Sequence, residues 1–508
     1  MQNRNSKKVA RLLALLLIAS MASGTFVSCT KEEDPKKPDD TTAPTVTDTT
    51  APEETGPTLN IAKTDFGGAS LRILGMDSSY GVGYYETNDI WAGEESSDAL
   101  TSAVYDRTMA MEDKYGIAVA YTPGSGVAST IRSCVEASLD EYDLYFENWH
   151  TQYSLSKNAV SCDFREIDTI DLTNPWWDQN ANKDLAVANR LFYTTGEMTT
   201  LDDKCTRYLY FNKDLVETYN LDNPYTLVNE NAWTLDVFEK MCLGVKDDLD
   251  GGGIDAKTDR YGFFYEQGQV SYFMQAGGFK FATVNEDGTI QENFIGNEDA
   301  FNKMVTVATM LTNKDICQSI DDIGTLPGYN NRWASGRGLF ANGQHLFTLG
   351  GALVIAEFSE MEDEFGILPL PKYDANQTRY YHTPEPSAPM CAIPSTKLDT
   401  GDLGMMLEAF SYEGMNILTP VFREKLLERR YTRDAESLDM LALIFESKSF
   451  DLGFCSDYGG VLGTINGKVN YGSIPTASQF KRIESKAIKA MEKDYNDILN
   501  AGKKTAEE

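Results

Sequence analysis

Polar and aromatic side chains stand at two places where the sequence predicts that a strand ends. Asn148 and Trp149 follow the apolar run 142–146, and Asp77 follows the run 70–76. In open α/β sheets, ligands bind beyond the carboxyl ends of the strands. An indole face there can stack on a sugar ring, while amide and carboxylate groups bond to its hydroxyls. We therefore take these three residues as candidate carbohydrate-binding groups, with burial in the core as the commoner alternative for any one tryptophan.

Further aromatic residues extend this candidate site, in a chain with 26 Tyr, 24 Phe and 6 Trp. Trp176, Trp177 and Trp333 lie in stretches rich in Gly, Asn and Pro that are typical of loops, so a binding role and a packing role are both open. Tyr272 is another candidate for contact with the ligand. Trp233 precedes the expected cap of a helix and is predicted to pack in the core.

An acidic, glycine-rich stretch resembles the calcium loop of EF-hand or dockerin proteins. Asp248, Asp250 and Asp259 occupy the first, third and twelfth positions of such a loop, and Gly253 lies where the sharp turn is needed. Gly252 stands in place of the usual ligand at the fifth position. The alternative is an acidic turn after a helix that binds no metal. A structural calcium ion is the one candidate cofactor, and we expect no cofactor that the function requires.

Composition and motifs exclude several classes of function. The formal net charge of -32 argues against a nucleic-acid partner, because phosphate contacts need clusters of basic residues. The chain has only 3 His, few for zinc sites or for histidine acid–base chemistry. No GxxxxGK[ST], GxGxxG, HExxH or GxSxG motif is present. The 77 acidic residues still allow a glycosidase-like carboxylate pair, but we predict no catalytic residue.

These candidate residues need a scaffold, and the apolar pattern predicts one of the α/β class. Strands are predicted at 70–76, 117–121 and 142–146, with helices between them. Strands that alternate with helices form βαβ units and a parallel sheet. Later expected elements are strands at 191–195 and 208–211, a helix at 235–245, a hairpin turning at Asp287-Gly288 and a helical stripe at 483–498. Short apolar runs stand at 346–353 and 365–368.

The first residues are predicted to direct secretion and membrane attachment. Basic residues precede the apolar run 12–22, which is too short to span a bilayer. The sequence Phe26-Val27-Ser28-Cys29 resembles the lipobox of bacterial lipoproteins, in which the cysteine is acylated. We predict a signal peptide at 1–28, a lipid on Cys29 and a disordered tether rich in Thr, Pro and Asp at 29–60. A plain secreted protein is the alternative.

The spacing of the other cysteines does not indicate a disulfide framework. Seven remain after Cys29, an odd number with wide spacing and no CxxC motif. This pattern argues against both a disulfide scaffold and a zinc ribbon. Most of them are predicted to be small buried side chains, with room for one or two disulfides.

Residues 208–215, with the sequence YLYFNKDL, resemble a strand and helix of the family-1 extracellular solute-binding proteins, which serve ABC importers and include the maltose-binding proteins. Similar motifs follow in the order of that family: NPWWD at 174–178, WTLD at 233–236, RYG at 260–262, AGG at 276–278, FGILPLPK at 365–372 and RDAESLDML at 433–441. Together they cover about residues 66–500.

The resemblance implies a two-lobed α/β fold of the periplasmic-binding-protein type II class, with discontinuous lobes and a hinge that the chain crosses several times. A solute-binding domain at 61–500 would comprise lobe 1 at about 61–208 and 393–430, and lobe 2 at about 212–390 and 434–500. The crossings are expected near 208–212, near 390–393 and around 428–436.

The resemblance also implies a lipid-anchored monomer on the outer face of the bacterial cytoplasmic membrane. A carbohydrate, usually an oligosaccharide in this family, would bind between the lobes, favour their closed state and reach the transmembrane permease. Two alternatives stay open. A cell-surface glycan-degrading enzyme would share the secretion signal and the aromatic content. A non-transport glycan-binding lipoprotein would use the acidic loop as a dockerin remnant, although dockerins carry two such loops in a terminal module.

Overall fold

Two β-sheets with helices packed on them make up the structure, a computed structural model that describes residues 56–255, 257–266, 268–428 and 435–507. The predicted signal peptide, Cys29 and the tether up to residue 55 lie outside these ranges and remain predictions. Within the described ranges, none of the helices has both the length and the apolar character that a bilayer crossing needs.

Strands and helices alternate along the described chain. The strands are β1 (Ala69–Met76), β2 (Ile117–Gly124), β3 (Leu144–Asn148), β4 (Tyr208–Asn212), β5 (Tyr261–Tyr265), β6 (Ala282–Val284), β7 (Ile290–Glu292), β8 (Cys317–Ser319), β9 (His345–Gly350), β10 (Phe365–Leu368) and β11 (Pro389–Ala392). The α-helices are α1 (Ala99–Tyr115), α2 (Val127–Glu136), α3 (Trp149–Ser156), α4 (Gln179–Asp184), α5 (Leu201–Cys205), α6 (Lys213–Thr218), α7 (Pro224–Asn229), α8 (Leu235–Gly244), α9 (Gln269–Ala276), α10 (Glu298–Thr312), α11 (Ile320–Ile323), α12 (Arg332–Ala341), α13 (Gly401–Glu413), α14 (Thr419–Glu428), α15 (Ala435–Glu446), α16 (Leu452–Cys455), α17 (Val461–Asn470), α18 (Ala477–Lys481) and α19 (Glu484–Glu507). Short 3-10 helices cover Tyr80–Gly83, Phe164–Glu166, Val187–Asn189, Ala352–Phe358 and Tyr458–Gly460, and a π-helix covers Gly414–Leu418.

The first sheet has the strand order β11-β3-β1-β2 and confirms the three strands predicted at the start of the folded chain. β1 pairs in parallel with β2, from Ala69 opposite Ile117 to Met76 opposite Gly124, and it pairs in parallel with β3 on its other side. β11 joins the far edge of β3 in the antiparallel sense. Because β1 and β3 are parallel, their carboxyl ends lie at the same edge of the sheet.

The second sheet has the strand order β10-β4-β9-β5-β8. β5 is parallel to β8 and β9, whereas β4 is antiparallel to β9 and β10. Every residue of β4 and β5 is buried, as expected for strands that helices cover on both faces. A separate hairpin of β6 and β7 turns at Gly288, whose φ of +82° suits a glycine, and it confirms the predicted turn.

One predicted strand does not form a ladder in the described chain. In the run 191–195, Thr194 makes a single bridge with Cys391. Leu191, Phe192 and Tyr193 are buried in the core. The run is therefore apolar because its side chains fill the interior. A short apolar run of this kind has the same sequence pattern as a buried strand, so the pattern alone does not distinguish the two.

Each sheet has its own hydrophobic core, which confirms the division into two lobes. The first core gathers Leu71, Ile73 and Phe146 from the first sheet. The second core is centred on side chains such as Tyr210 and Phe263 of the second sheet. We call the two parts the first lobe and the second lobe.

The hydrophobic core in which each residue packs locates the hinge. The observed hinge positions differ from the predicted crossings. The chain leaves the first core after Met198 and Cys205 and enters the second at Tyr208; it returns from the second core to the first at Ala388, again at Phe450 and once more at Ala487. The stretches 208–212 and 390–393, predicted as crossings, are instead strands inside the lobes. Their apolar sequences suit sheet centres, while the crossing segments are more polar. The third predicted crossing, at 428–436, lies mostly outside the described residues, but the chain has already passed from the first core at Phe410 to the second at Phe422.

Three hinge segments run side by side, at about 203–207, 382–386 and 447–449. Thr206 bridges Pro384, and His382 bridges Lys448. The backbone N–H of Glu385 donates to the carbonyl oxygen of Cys205 at 3.0 Å. These backbone pairs join three of the segments that pass between the lobes, where the lobes can rotate relative to each other.

The C-terminal helix α19 belongs to the first lobe, although the sequence assigned residues 434–500 to the second. Ala487, Met491 and Ile498 from its apolar stripe pack into the first core. Asp494 holds the helix there, because its carboxylate accepts hydrogen bonds from Tyr153 at 3.1 Å and from Lys157 at 3.1 Å. The amphipathic pattern predicted the helix correctly but not the lobe that covers its apolar face.

The seven described cysteines are free thiols, and all except Cys162 are buried. This confirms the prediction that most are small buried side chains. Burial raises the pKa of Cys205 and Cys391, so neither thiol has the thiolate character that reactivity needs.

Candidate ligand-binding cleft

Strand ends of both lobes supply the candidate site. Asp77 follows β1 and Asn148 ends β3 in the first lobe, while Glu266 directly follows β5 in the second lobe. The loop after β1 continues to Tyr84 and Tyr85, which reach across to the hinge and to the second lobe. The site therefore lies where open α/β sheets place their ligands, beyond the carboxyl ends of parallel strands.

Two neighbouring tyrosines make the contacts that span this space. The phenol of Tyr84 donates to a carboxylate oxygen of Glu357 at 2.6 Å, and Arg337 donates to the other oxygen at 2.7 Å. The phenol of Tyr85 donates to Glu385 at 2.5 Å, and Glu385 also pairs with Arg207. Burial and the neighbouring Glu385 raise the pKa of Tyr85, so its phenol stays protonated and acts as a donor.

We define the cleft as the two tyrosines, the charged residues that they and their partners contact, and the residues that interact electrostatically with those charges. Arg207 and Glu385 come from the hinge, and Glu266 is in the electrostatic range of Arg207 and Arg337. Burial raises the pKa of Glu266. The cleft residues are Tyr84, Tyr85, Arg207, Glu266, Tyr272, Arg337, Glu357 and Glu385.

A cavity of about 390 Å³ opens between the lobes beside Tyr84. Asn88 and Thr101 line it from the first lobe, Lys204 from the hinge, and Leu353 from the second lobe. Small-molecule pockets in proteins have volumes of roughly 300–1,000 Å³ and mix apolar walls with a few polar groups. The size and lining of this cavity fit that class.

Two of the predicted polar groups are occupied by local structure. A carboxylate oxygen of Asp77 accepts from the backbone and the hydroxyl of Ser79, at 3.0 Å and 2.5 Å, in a tight turn. The amide oxygen of Asn148 caps α3 by accepting from the N–H of Thr151 at 2.9 Å, and its nitrogen donates to Glu147 at 2.6 Å. Both side chains are half-buried, so each keeps an edge toward solvent.

Three of the predicted tryptophans are packing residues. Trp149 is fully buried, and its indole N–H donates to the carbonyl oxygen of Glu385 at 2.6 Å. Trp176 and Trp177 are also buried, and both indoles donate to the carboxylate of Glu408, at 2.8 Å and 2.9 Å. None of the three ring faces is free to stack on a ligand, so the alternative of core packing holds. Trp149 still bears on the cleft because it fixes the backbone of Glu385.

The other two aromatic candidates lie closer to open space. Tyr272 is half-buried, packs against Phe454 with ring centroids 5.4 Å apart, and acts electrostatically on Arg207 of the cleft. Trp333 is 43% exposed, with the guanidinium of Arg332 4.5 Å from its ring centroid. It stands one helical turn before Arg337 on α12, on the same side of the helix. The structure thus places Tyr272 among the cleft residues and leaves Trp333 exposed on α12.

All five charged cleft residues escaped the sequence prediction. Glu266 could have been found from the sequence, because it follows a strand as directly as Asp77 does. Arg207 and Glu385 meet only because the first and second hinge segments pair, and their separation in the chain hides that contact.

The predicted calcium loop forms a compact group of carboxylates. One carboxylate oxygen from each of Asp248, Asp250 and Asp259 lies within 4.8 Å of the others. Asp259 is buried and accepts from the backbone of Leu249 at 2.8 Å and of Asp255 at 2.7 Å, which lowers its pKa. These donors keep the carboxylate ionised and fixed. Oxygen ligands of this kind suit calcium.

No protein-family model and no curated protein matches the chain. Solved structures do match it. A family 1 extracellular solute-binding protein from Bifidobacterium longum subsp. infantis is 13% identical, with 83% of this chain and 99% of that chain covered and a TM-score of 0.53. An ABC substrate-binding protein from Listeria monocytogenes, in complex with cycloalternan, is 14% identical over 84% of this chain and 99% of that chain, with a TM-score of 0.50.

A maltose/maltodextrin-binding domain from Bdellovibrio bacteriovorus, bound to maltotriose, gives a similar result. It is 14% identical, covers 84% of this chain and 100% of its own length, and has a TM-score of 0.50. Sequence identities this low establish the fold alone. The chain has the two-lobed α/β fold of these binding proteins, as its sequence motifs predicted.

Proposed function

We propose that this protein is the substrate-binding subunit of an ABC importer and that it holds a carbohydrate, preferably an oligosaccharide, between its lobes without catalysis. One observation supports this most directly: a cleft with a cavity of about 390 Å³ is lined from both lobes and from the hinge. The similar solved structures are binding proteins, and two of them hold sugars. A ligand that contacts both lobes favours the closed form of the protein. A permease that recognises the closed form therefore recognises the protein with its ligand bound.

A thermal-shift screen of the purified full-length protein against neutral mono- and oligosaccharides tests this proposal. A ligand that binds only the folded state raises the melting temperature, by an amount that grows with its concentration. We expect at least one oligosaccharide to raise it and to be recovered uncleaved after incubation. Release of new reducing ends would favour a glycan-degrading enzyme instead.

The location is part of the same proposal. A signal peptide at 1–28, a lipid on Cys29 and the tether at 29–60 would hold a monomer at the outer face of the cytoplasmic membrane, beside its permease. Replacement of Cys29 by Ser should release the protein into the medium. Continued recovery of the Cys29→Ser variant with the membrane would contradict the lipid anchor.

We also propose that the acidic loop at Asp248, Asp250 and Asp259 binds a structural calcium ion. The close carboxylate oxygens and the fixed, buried Asp259 support this proposal. Calcium should raise the melting temperature of the protein, and a chelator should reverse the effect. The double variant Asp248→Asn, Asp250→Asn should show no response to calcium.

A further inference from the structure

The loop at residues 77–98, which joins β1 to α1, carries both tyrosines that reach beyond the first lobe. We call it the tyrosine loop. Tyr84 donates to Glu357 of the second lobe at 2.6 Å, and Tyr85 donates to Glu385 of the hinge at 2.5 Å. Ordering a free loop costs conformational entropy, which offsets the free energy of any hydrogen bond that the loop makes. The loop must therefore be held on the first lobe if these bonds are to bridge the lobes.

A buried aspartate fixes the middle of the tyrosine loop to the segment before α5. The carboxylate of Asp89 accepts a hydrogen bond from the hydroxyl of Thr199 at 3.0 Å. It also accepts from the backbone N–H and from the hydroxyl of Thr200, at 2.6 Å and 2.8 Å. A buried charge is costly unless hydrogen bonds satisfy it, and these three donors do so. Asp89 can leave residues 199–200 only as an unsatisfied charge.

A buried arginine of α1 binds the same two segments. One terminal nitrogen of Arg107 donates to the carbonyl oxygen of Met198 at 2.6 Å. The other donates to the carbonyl oxygens of Asp89 and Ile90, at 2.6 Å and 2.7 Å. The guanidinium lies over the ring of Phe410, 4.2 Å from its centroid, and none of the described residues accepts from its Nε. Because the three carbonyl oxygens come from segments far apart in the chain, Arg107 specifies where these segments meet.

The chain leads from this anchor directly into the hinge. α5 begins after Thr200 and ends at Cys205, whose carbonyl oxygen accepts from the N–H of Glu385 at 3.0 Å. The carboxylate of Glu385 in turn accepts from Tyr85. The tyrosine loop is thus joined to the hinge twice, through Tyr85 and through Asp89 and α5. A loop that left its anchor would also lose its position relative to the hinge.

We propose that Asp89 and Arg107 are positioning residues, which anchor the tyrosine loop on the first lobe so that Tyr84 and Tyr85 bridge the lobes. The hydrogen bond from Tyr84 to Glu357 then contributes to the bridged arrangement only while the anchor is intact. The effects of the anchor and of Tyr84 on the opening of the lobes are therefore coupled and not additive. This inference concerns the protein without a ligand and goes beyond the proposed function.

A double-mutant cycle on the unliganded full-length protein tests the coupling, with small-angle X-ray scattering as the measure of lobe opening. We expect Tyr84→Phe to lower the ratio of bridged to open protein by roughly 10-fold or more and to increase the radius of gyration. Asp89→Ala should increase the radius by at least as much, and adding Tyr84→Phe to Asp89→Ala should change it no further. Arg107→Met gives a second cycle with the same expectation, and it decides the test if Asp89→Ala does not fold.

Two controls separate positioning from a general loss of stability. Asp89→Asn keeps an oxygen that accepts from the N–H of Thr200 and gains a nitrogen that donates to a threonine hydroxyl, so it should have the radius of the parent protein. Asp163→Ala removes another buried aspartate of the first lobe, which accepts from the N–H of Leu191 at 2.9 Å. It should lower the melting temperature but leave both the radius and the effect of Tyr84→Phe unchanged.

Three results would overturn the inference. The first is the scattering of the parent protein from Tyr84→Phe, or from both anchor variants. The second is a Tyr84→Phe effect in Asp89→Ala or Arg107→Met as large as in the parent. The third is an opening of the lobes in Asp163→Ala equal to that in Asp89→Ala, since a loss of stability would then suffice. No sugar is present in these measurements, so a failed sugar screen leaves the inference standing, and its own failure leaves the proposed function standing.

Discussion

Lys448 is a buried lysine that three carboxylates share at the hinge. Its ammonium group lies 2.7 Å from Asp203 and 3.3 Å from Asp178, and it also pairs with Asp202. Burial opposes the charge, yet Asp202 and Asp203 raise the pKa of Lys448 well above its usual value. The lysine thus ties the third hinge segment to the first and to the loop before α4.

Replacement of Lys448 by Met should strongly destabilise the fold. Removing one partner of a buried ion pair leaves charges unmatched and typically costs about 3–5 kcal/mol. Denaturant unfolding measures the loss, and Lys489→Met, on an exposed face of α19, serves as the control. Adding Asp203→Asn to Lys448→Met should recover part of the stability. A Lys448→Met protein as stable as its parent would contradict this role.

The hinge segments are the elements that join the lobes, and His382 links two of them. Its Nε2 accepts from the N–H of Leu370 at 3.1 Å, so the proton of the ring is on Nδ1, which donates to the hydroxyl of Ser447 at 2.7 Å. Burial lowers the pKa of His382 to about 3. The ring is therefore a neutral structural element at every pH at which the protein is expected to work.

This histidine predicts a specific pH dependence of stability. An unfolded histidine has a pKa of about 6.5, so between pH 6.5 and pH 3 the unfolded state binds one more proton than the folded state. The free energy of unfolding must fall as the pH drops through that window, by about 2 kcal/mol at pH 5 from this group alone. Denaturant titrations at pH 7 and pH 5 measure the difference.

His382→Gln should show a smaller loss between pH 7 and pH 5 than the parent protein, whatever its stability at pH 7. His150→Gln, at an exposed position, should keep the pH dependence of the parent. Equal slopes for the parent and His382→Gln would contradict the neutral, buried state of His382.

The sequence predicts elements better than it predicts where they meet. The run 70–76 is short and mostly apolar and ends at turn residues, so β1 could be predicted directly, and the stripe from Ile483 to Ile498 identified α19. The lobe that α19 joins and the hinge crossings depend on contacts distant in the chain, which periodicity does not encode. Trp149 shows the same limit at the cleft: it follows a strand as predicted, yet its ring packs inward on Phe450.

The whole molecule consists of two lobes whose contacts across the cleft are both polar and apolar. Each lobe is packed around its own sheet, whereas Leu353 and Phe454 pack against both cores, so rotation about the hinge must move these side chains over one of the cores. The hydrogen bond from Tyr84 to Glu357 spans the cleft in the structure. It therefore stabilises the bridged arrangement of the lobes even without a ligand, and we call this arrangement closed. A ligand that favours it acts on the fraction of protein that is already closed.

Tyr84→Phe removes that bond while it keeps the ring. A hydrogen bond to a charged group contributes about 1.5–3 kcal/mol, so the ratio of closed to open protein should fall by roughly 10-fold or more. Small-angle X-ray scattering of the unliganded variant should give a larger radius of gyration than the parent, and a saturating sugar should restore the smaller value. Sugar affinity should fall by the same factor as the closed population, because the ligand must now restore closure. Tyr471→Phe, at a position 87% exposed, should change neither quantity. An unliganded Tyr84→Phe protein with the scattering of its parent would show that other contacts hold the lobes together.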